Sequence, residues 1–141
     1  MDRINWLIAA GVLNTIAALL HLGCVFGGPS WYRFFGAGEG MARLAEQGSW
    51  RPALITLGIT AILAGWAAYA FSGAGLVPRL PLLRPALILI CAVYVARAAA
   101  YPVMLARMPG HGTTFLQVSS AIVLVFAVVH AIGIWTRWDR L

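Results

Sequence analysis

The chain of 141 residues has no lysine, and its ten basic residues are all arginine. Acids are scarcer still: Asp2, Glu39, Glu46 and Asp139 are the only four. Charged residues make up 10% of the sequence, against about 25% in an ordinary soluble domain. With 62% hydrophobic residues, a soluble fold of this size could not hide its apolar surface. The arginines are scattered with no basic run, which excludes a nucleic-acid partner. There are two cysteines, Cys24 and Cys91, and no CxxC or Cys/His metal pattern. As members of separate apolar stretches they differ in depth by roughly 15 Å. A disulfide needs Cα atoms about 5–6 Å apart, so two free thiols are expected. No nucleophile elbow, phosphate loop or metalloprotease helix occurs, and no motif names a cofactor.

What the chain does have is four long apolar stretches, at 6–26, 53–71, 86–105 and 115–136. A helix needs about 20 mostly apolar residues to cross the hydrocarbon core of a bilayer. Each stretch is about that long, and only the third carries a formal charge. The expectation is an all-α, four-transmembrane-helix bundle, one domain over 1–141. Residues 21–24, His-Leu-Gly-Cys, resemble a lipoprotein cleavage site. His21 stands where that site needs an apolar residue, and the apolar run exceeds the usual 7–15 residues of a signal peptide. The stretch therefore reads as a retained first span.

Gly27-Gly28-Pro29 should stop the first helix, and Ser49 with Pro52 should start the second. Between them, 31–35 is an aromatic cluster around Arg33, and 39–47 reads as a short amphipathic helix with a Glu39–Arg43 pair. This segment is expected to lie along the membrane surface. Tyr101-Pro102 should kink the third span. A tight turn is expected over 107–112, and Thr113 or Thr114 can cap the fourth span. An even number of spans puts both termini on one side, with Arg3, Arg79, Arg84, Arg137 and Arg140. Arg33, Arg43, Arg51 and Arg107 lie on the other. The excess favours cytoplasmic termini.

The polar residues within the spans are the informative ones. Arg97 lies in the third, where a charge costs roughly 2.5–3.5 kcal/mol on insertion scales. Tyr94 and Tyr101 share its face. The first span brings Asn14 and His21, the second Thr56 and Thr60, and the fourth Thr113, Gln117, Ser119 and Ser120. Most of these fall at one level, in the half away from the termini. His130 is the exception, towards the terminal side. The stripes predict a polar pocket centred on Arg97 and lined by Tyr94, Tyr101, His21, Glu39, Asn14 and Gln117. Glu39, among Gly36, Gly38 and Gly40, is the expected counter-ion, folded over the bundle. The plainer alternative is that these polar groups only tie the helices together. His21 and His130 belong to different depths, so one haem iron cannot take both, and no shared metal site is expected.

The layout of four apolar helices, a sizeable first loop and a short last turn resembles DoxX-like small bacterial membrane proteins. That resemblance implies a four-helix bundle in a bacterial inner membrane and no particular catalytic residue. The string Gly11-Val12-Leu13-Asn14-Thr15 is similar to the first span of GtrA-type proteins, which are implicated in moving lipid-linked sugars, though later spans do not follow that pattern. The expected function is to bind a lipid, quinone or other apolar small molecule with its head at Arg97, or to serve as an accessory membrane subunit. Alternatives are an integral membrane enzyme, an isomerase or redox subunit using His21 or Glu39 as acid or base, and a small dimeric transporter. Expected partners are membrane lipids, an apolar small molecule, and a second copy or a larger membrane complex.

Overall fold

A computed structural model describes residues 4–107 and 113–141. The expected turn with His111, the charges of Asp2 and Arg3, and the side chain of Thr113 lie outside them. The described chain is all-α, with no strand. Three helices are long and apolar enough to cross a membrane: α1 (Trp6–Gly27), α4 (Arg51–Ala74) and α7 (Thr113–Thr136). A fourth is made by two helices in tandem, α5 (Leu83–Ala99) and α6 (Tyr101–Arg107), bent by 49°. Two short helices, α2 (Pro29–Phe34) and α3 (Glu39–Glu46), fill the link between α1 and α4.

The boundaries follow local chemistry. α1 ends at Gly27 because Gly28 takes a φ of 71° and Pro29 opens α2 with a fixed φ and no N–H to lose. α4 has Pro52 in its first turn and ends at Gly75, φ 81°. There the N–H of Gly75 donates to Ser72 O at 3.0 Å and that of Leu76 to Phe71 O at 3.0 Å. This is the Schellman closure, which needs a left-handed residue and favours glycine. Gly36, φ 70°, ends α2 in the same way, and its open side is filled by the ring of Phe115 from α7. The break at Ala100 answers to Pro102, which cannot donate to Ala98 O and crowds that carbonyl.

The long helices form a ring in chain order, α1 on α4, α4 on α5, α5 on α7 and α7 on α1. Neighbours are antiparallel. Leu7 at the start of α1 sits between Gly73 at the end of α4 and Gly133 near the end of α7. The main core occupies the half of the bundle near both chain ends, with Leu7, Ala10, Ala70, Leu87, Ile90, Phe126 and Ile134. At the other end a smaller core joins Cys24 of α1 to Tyr32 and Ala42 of the connecting helices. Above Tyr94, α5 buries nothing further, and α6 buries no residue. Elsewhere the helices turn apolar side chains outward, such as Ile62 at 53% and Leu89 at 65% exposure. Only 22% of the most apolar stretch of α4 is buried inside the fold. Both cysteines are free.

Candidate functional site

Two polar groups sit one above the other inside the ring. The lower is a closed network supplied by three helices. Asn14 of α1 donates through Nδ2 to Ala10 O at 2.9 Å and lies 3.0 Å from Nε2 of His130 on α7. Tyr94 of α5 donates its hydroxyl to Asn14 Oδ1. Nδ1 of His130 is 2.7 Å from Phe126 O. A carbonyl only accepts, so the proton belongs on Nδ1 and bare Nε2 accepts from Asn14. Every donor and acceptor of the Asn14 amide is then matched. Asn14 and His130 are fully buried. The Tyr94 ring meets Trp66 of α4 edge-on at 5.1 Å and Phe126 at 5.3 Å, so all four long helices close on it. A satisfied network of this kind fixes helix register and presents no free polar group to a ligand.

The upper group is Arg97, one turn further along α5. Its Nη1 donates to Ser120 Oγ and its Nη2 to Ser119 Oγ, each at 3.3 Å, both on α7. Ser119 in turn donates to Leu116 O at 3.2 Å. No carboxylate lies within 4 Å of the guanidinium among the described residues. Neutral hydroxyls solvate a charge in a low-dielectric setting without cancelling it.

Glu39 is not the counter-ion of Arg97. Its carboxylate is taken by Arg33, at 2.8 and 3.0 Å, and by Arg43 at 3.5 Å. Arg33 also bonds Glu46 at 2.7 Å, which ties α2 to α3. The hydrogen bonds from Arg33 hold the Glu39 carboxyl down at about 2, and those two carboxylates raise the guanidinium further. The acid is captured because its basic partners lie six and four residues away, where little chain must be ordered to make the pair. His21 is also apart: it is half-buried and its Nδ1 lies 2.7 Å from Ala17 O of its own helix. Neither His21 nor Glu39 bonds the other, and neither bonds Arg97.

Of the residues expected to share one pocket, Asn14 and Tyr94 belong to the closed network. Tyr101 and Gln117 flank the Arg97 level instead. With Val95, Ala98, Ala99, Ser120, Ala121 and Leu124 they line a groove of about 460 Å³ along α5, the start of α6 and α7. Val95 also lines a second, apolar groove of about 900 Å³ on the same seam, which runs past Ile88, Cys91 and Ala92 to Trp135 and Trp138. Ser120 is the link to the charge, since it both bonds Arg97 and lines the upper groove.

The sequence reading did not join His130 to Asn14, nor Trp66 and Phe126 to Tyr94. A depth count would have put the first pair at one level. Asn14 is eight residues above Trp6, and His130 is six above Thr136 at the same end. Compared with protein-family models, curated proteins and solved structures, the chain matches none. The resemblances to DoxX-like and GtrA-type proteins gain no support there.

Proposed function

We propose that this chain is a multi-pass membrane protein that binds an amphiphile, with an anionic head held by Arg97. The observation that carries this reading is a guanidinium in an apolar helix with two serine hydroxyls and no carboxylate within 4 Å among the described residues, one of those hydroxyls, Ser120, lining an apolar groove. Charges within membrane helices are rare and are read as functional by default. Tyr101 and Gln117 line the mouth and supply hydroxyl and amide groups to the same head. The partners are membrane lipids or another apolar molecule with a negative head. The arginine balance favours cytoplasmic termini, and a bacterial inner membrane is the setting proposed with them. The enzyme alternative loses its footing in His21 and Glu39, which are engaged in separate local contacts.

Native mass spectrometry of the gently extracted protein, with and without added hexadecyl phosphate, tests the reading. Wild-type protein should retain the alkyl phosphate. Arg97→Leu should weaken retention roughly tenfold to a hundredfold, since hydrogen bonds to charged groups are worth about 1.5–3 kcal/mol. Arg97→Lys should fall between them, because it keeps a charge and loses the fork. Equal retention by wild type and Arg97→Leu would refute the proposal.

A further inference from the structure

The upper groove, which Arg97 reaches through its hydrogen bond to Ser120, and the larger apolar groove meet at Val95, and together they follow the α5–α7 seam. From Tyr101 at one end to Ile88 at the other is thirteen residues, or roughly 20 Å along a helix. That is about two-thirds of the roughly 30 Å hydrocarbon thickness of a bilayer. The seam is polar only at its ends. Gln117 and Ser120, the latter bonded to Arg97, mark the upper end, and Trp135, Trp138 and Asp139 mark the lower. Between them the trough is floored by small or apolar side chains, Ala92 and Ala96 on α5 and Ala131 on α7. It is therefore apolar where a methylene chain would lie, and polar where a head would sit, one hydrogen bond from the Arg97 guanidinium.

We infer that the ligand of the Arg97 site is a long single-chain anion, its tail lying along the α5–α7 seam towards Trp135. This deepens the reading given above and rests on it. Charge complementarity selects the head, because the guanidinium has hydroxyl partners and no carboxylate among the described residues. The length of the apolar trough selects the tail. Lipid chains are as apolar as the trough, so no hydrophobic gain drives a tail out of the bilayer and into it. Head pairing sets the affinity, and close packing against the alanines sets where the tail goes. The shared chemistry is an acidic head on one extended chain, met equally by a fatty acid and by a phosphorylated long-chain alcohol.

A hexadecyl phosphate with a diazirine at its tail end, added to the full chain in lipid nanodiscs, tests the inference. After irradiation, peptide mapping should find the label concentrated near Trp135, Trp138 and Ile88. The outward residues Ile59 and Ile62 of α4 should be labelled several-fold less. Ala92→Phe, which fills the trough midway, should cut the labelling near Trp135 several-fold. Ala61→Phe, on the outer face of α4, should not change it. A hexadecanoate probe with the same diazirine should label the same residues if the head is recognised only as an anion; a phosphate-specific head gives label from the phosphate probe alone. Either result supports the tail's path. Label spread evenly over α4 and the seam, or an unchanged pattern in Ala92→Phe, overturns it. Loss of that pattern with retention still dependent on Arg97 would leave the head site standing. Retention indifferent to Arg97 would remove both.

Discussion

At the residue scale, the fold rests on a few contacts with little tolerance. Leu7 is fully buried between two glycines from different helices. A methyl group on Gly133 would stand 2.7 Å from Leu7 Cδ2 and 3.2 Å from the Leu7 backbone nitrogen, so backbone as well as side chain must yield. Gly133→Ala should destabilise the bundle by about 1–3 kcal/mol, seen as a lower thermal midpoint in detergent. The Asn14–His130–Tyr94 network makes a different kind of demand. Asn14→Leu strands a buried ring nitrogen and a buried hydroxyl, and each stranded group costs about 1–3 kcal/mol. His130→Leu strands one amide N–H of Asn14. Their double variant should cost clearly less than the sum of the singles, a coupling that a thermodynamic cycle in one detergent would measure. Additive effects would mean that the two side chains do not meet. The polar parts of this centre were legible in the sequence as one residue on each of three spans, Asn14, Tyr94 and His130. Their pairing was not, because helical stripes give a face and a depth for each residue but no azimuth for one helix about another.

Among the helices, the most local features were the most legible. The stop at Gly27-Gly28-Pro29, the short α3 and the break before Pro102 all follow from chemistry within a few residues, whereas 31–35 reads as an aromatic cluster and does not foretell α2 as a helix. Pro102→Ala restores an N–H and relieves a ring clash, so α5 and α6 should approach one continuous helix. Spin labels at the exposed positions Leu89 and Leu105 should then move apart by about 2 Å, as 1.5 Å per residue and removal of the 49° bend require. An unchanged distance would assign the bend to packing against α7 instead. The partner of Glu39 shows where local reading fails in the other direction. Two arginines within six residues outcompete Arg97, and nothing in the spacing of glycines reports that competition. The pairing does carry a pH consequence. Glu39 has a folded pKa of about 2, below its ordinary value near 4.3, so its contribution is full above the ordinary value and is lost as pH falls towards 2. The α2–α3 link should therefore hold through pH 5 and loosen between about pH 4 and 2. The carboxyl carbon shift of Glu39, followed by NMR, reports its titration, and Arg33→Gln should return that titration towards the ordinary value.

For the molecule as a whole, the ring of helices separates two chemically distinct ends. One end holds α2 and α3, where Arg33 and Arg43 are bound to Glu39 and Glu46. At the other, Arg79 donates to Arg140 O at 3.2 Å, Arg137 to Gly73 O at 3.1 Å, and Arg84 to Trp138 O at 3.0 Å while lying 4.6 Å from that ring's centre. None of these three guanidiniums has an Asp or Glu carboxylate within 4 Å among the described residues. A cluster of arginines bonded only to backbone, with tryptophan beside it, suits the headgroup layer of a cytoplasmic leaflet. Gln47, just after α3, and Val77, just after α4, are both exposed and stand at opposite ends of the 24-residue α4, about 36 Å apart if it is straight. In a background with Cys24 and Cys91 replaced by alanine, a cysteine at each position can be probed in intact cells with a membrane-impermeant maleimide. Gln47→Cys should react from outside, and Val77→Cys only after permeabilisation. The reverse pattern would invert the orientation while keeping the crossing. Reaction of both from one side would mean that α4 does not cross the bilayer, and Arg97 would then have water rather than a ligand to answer it.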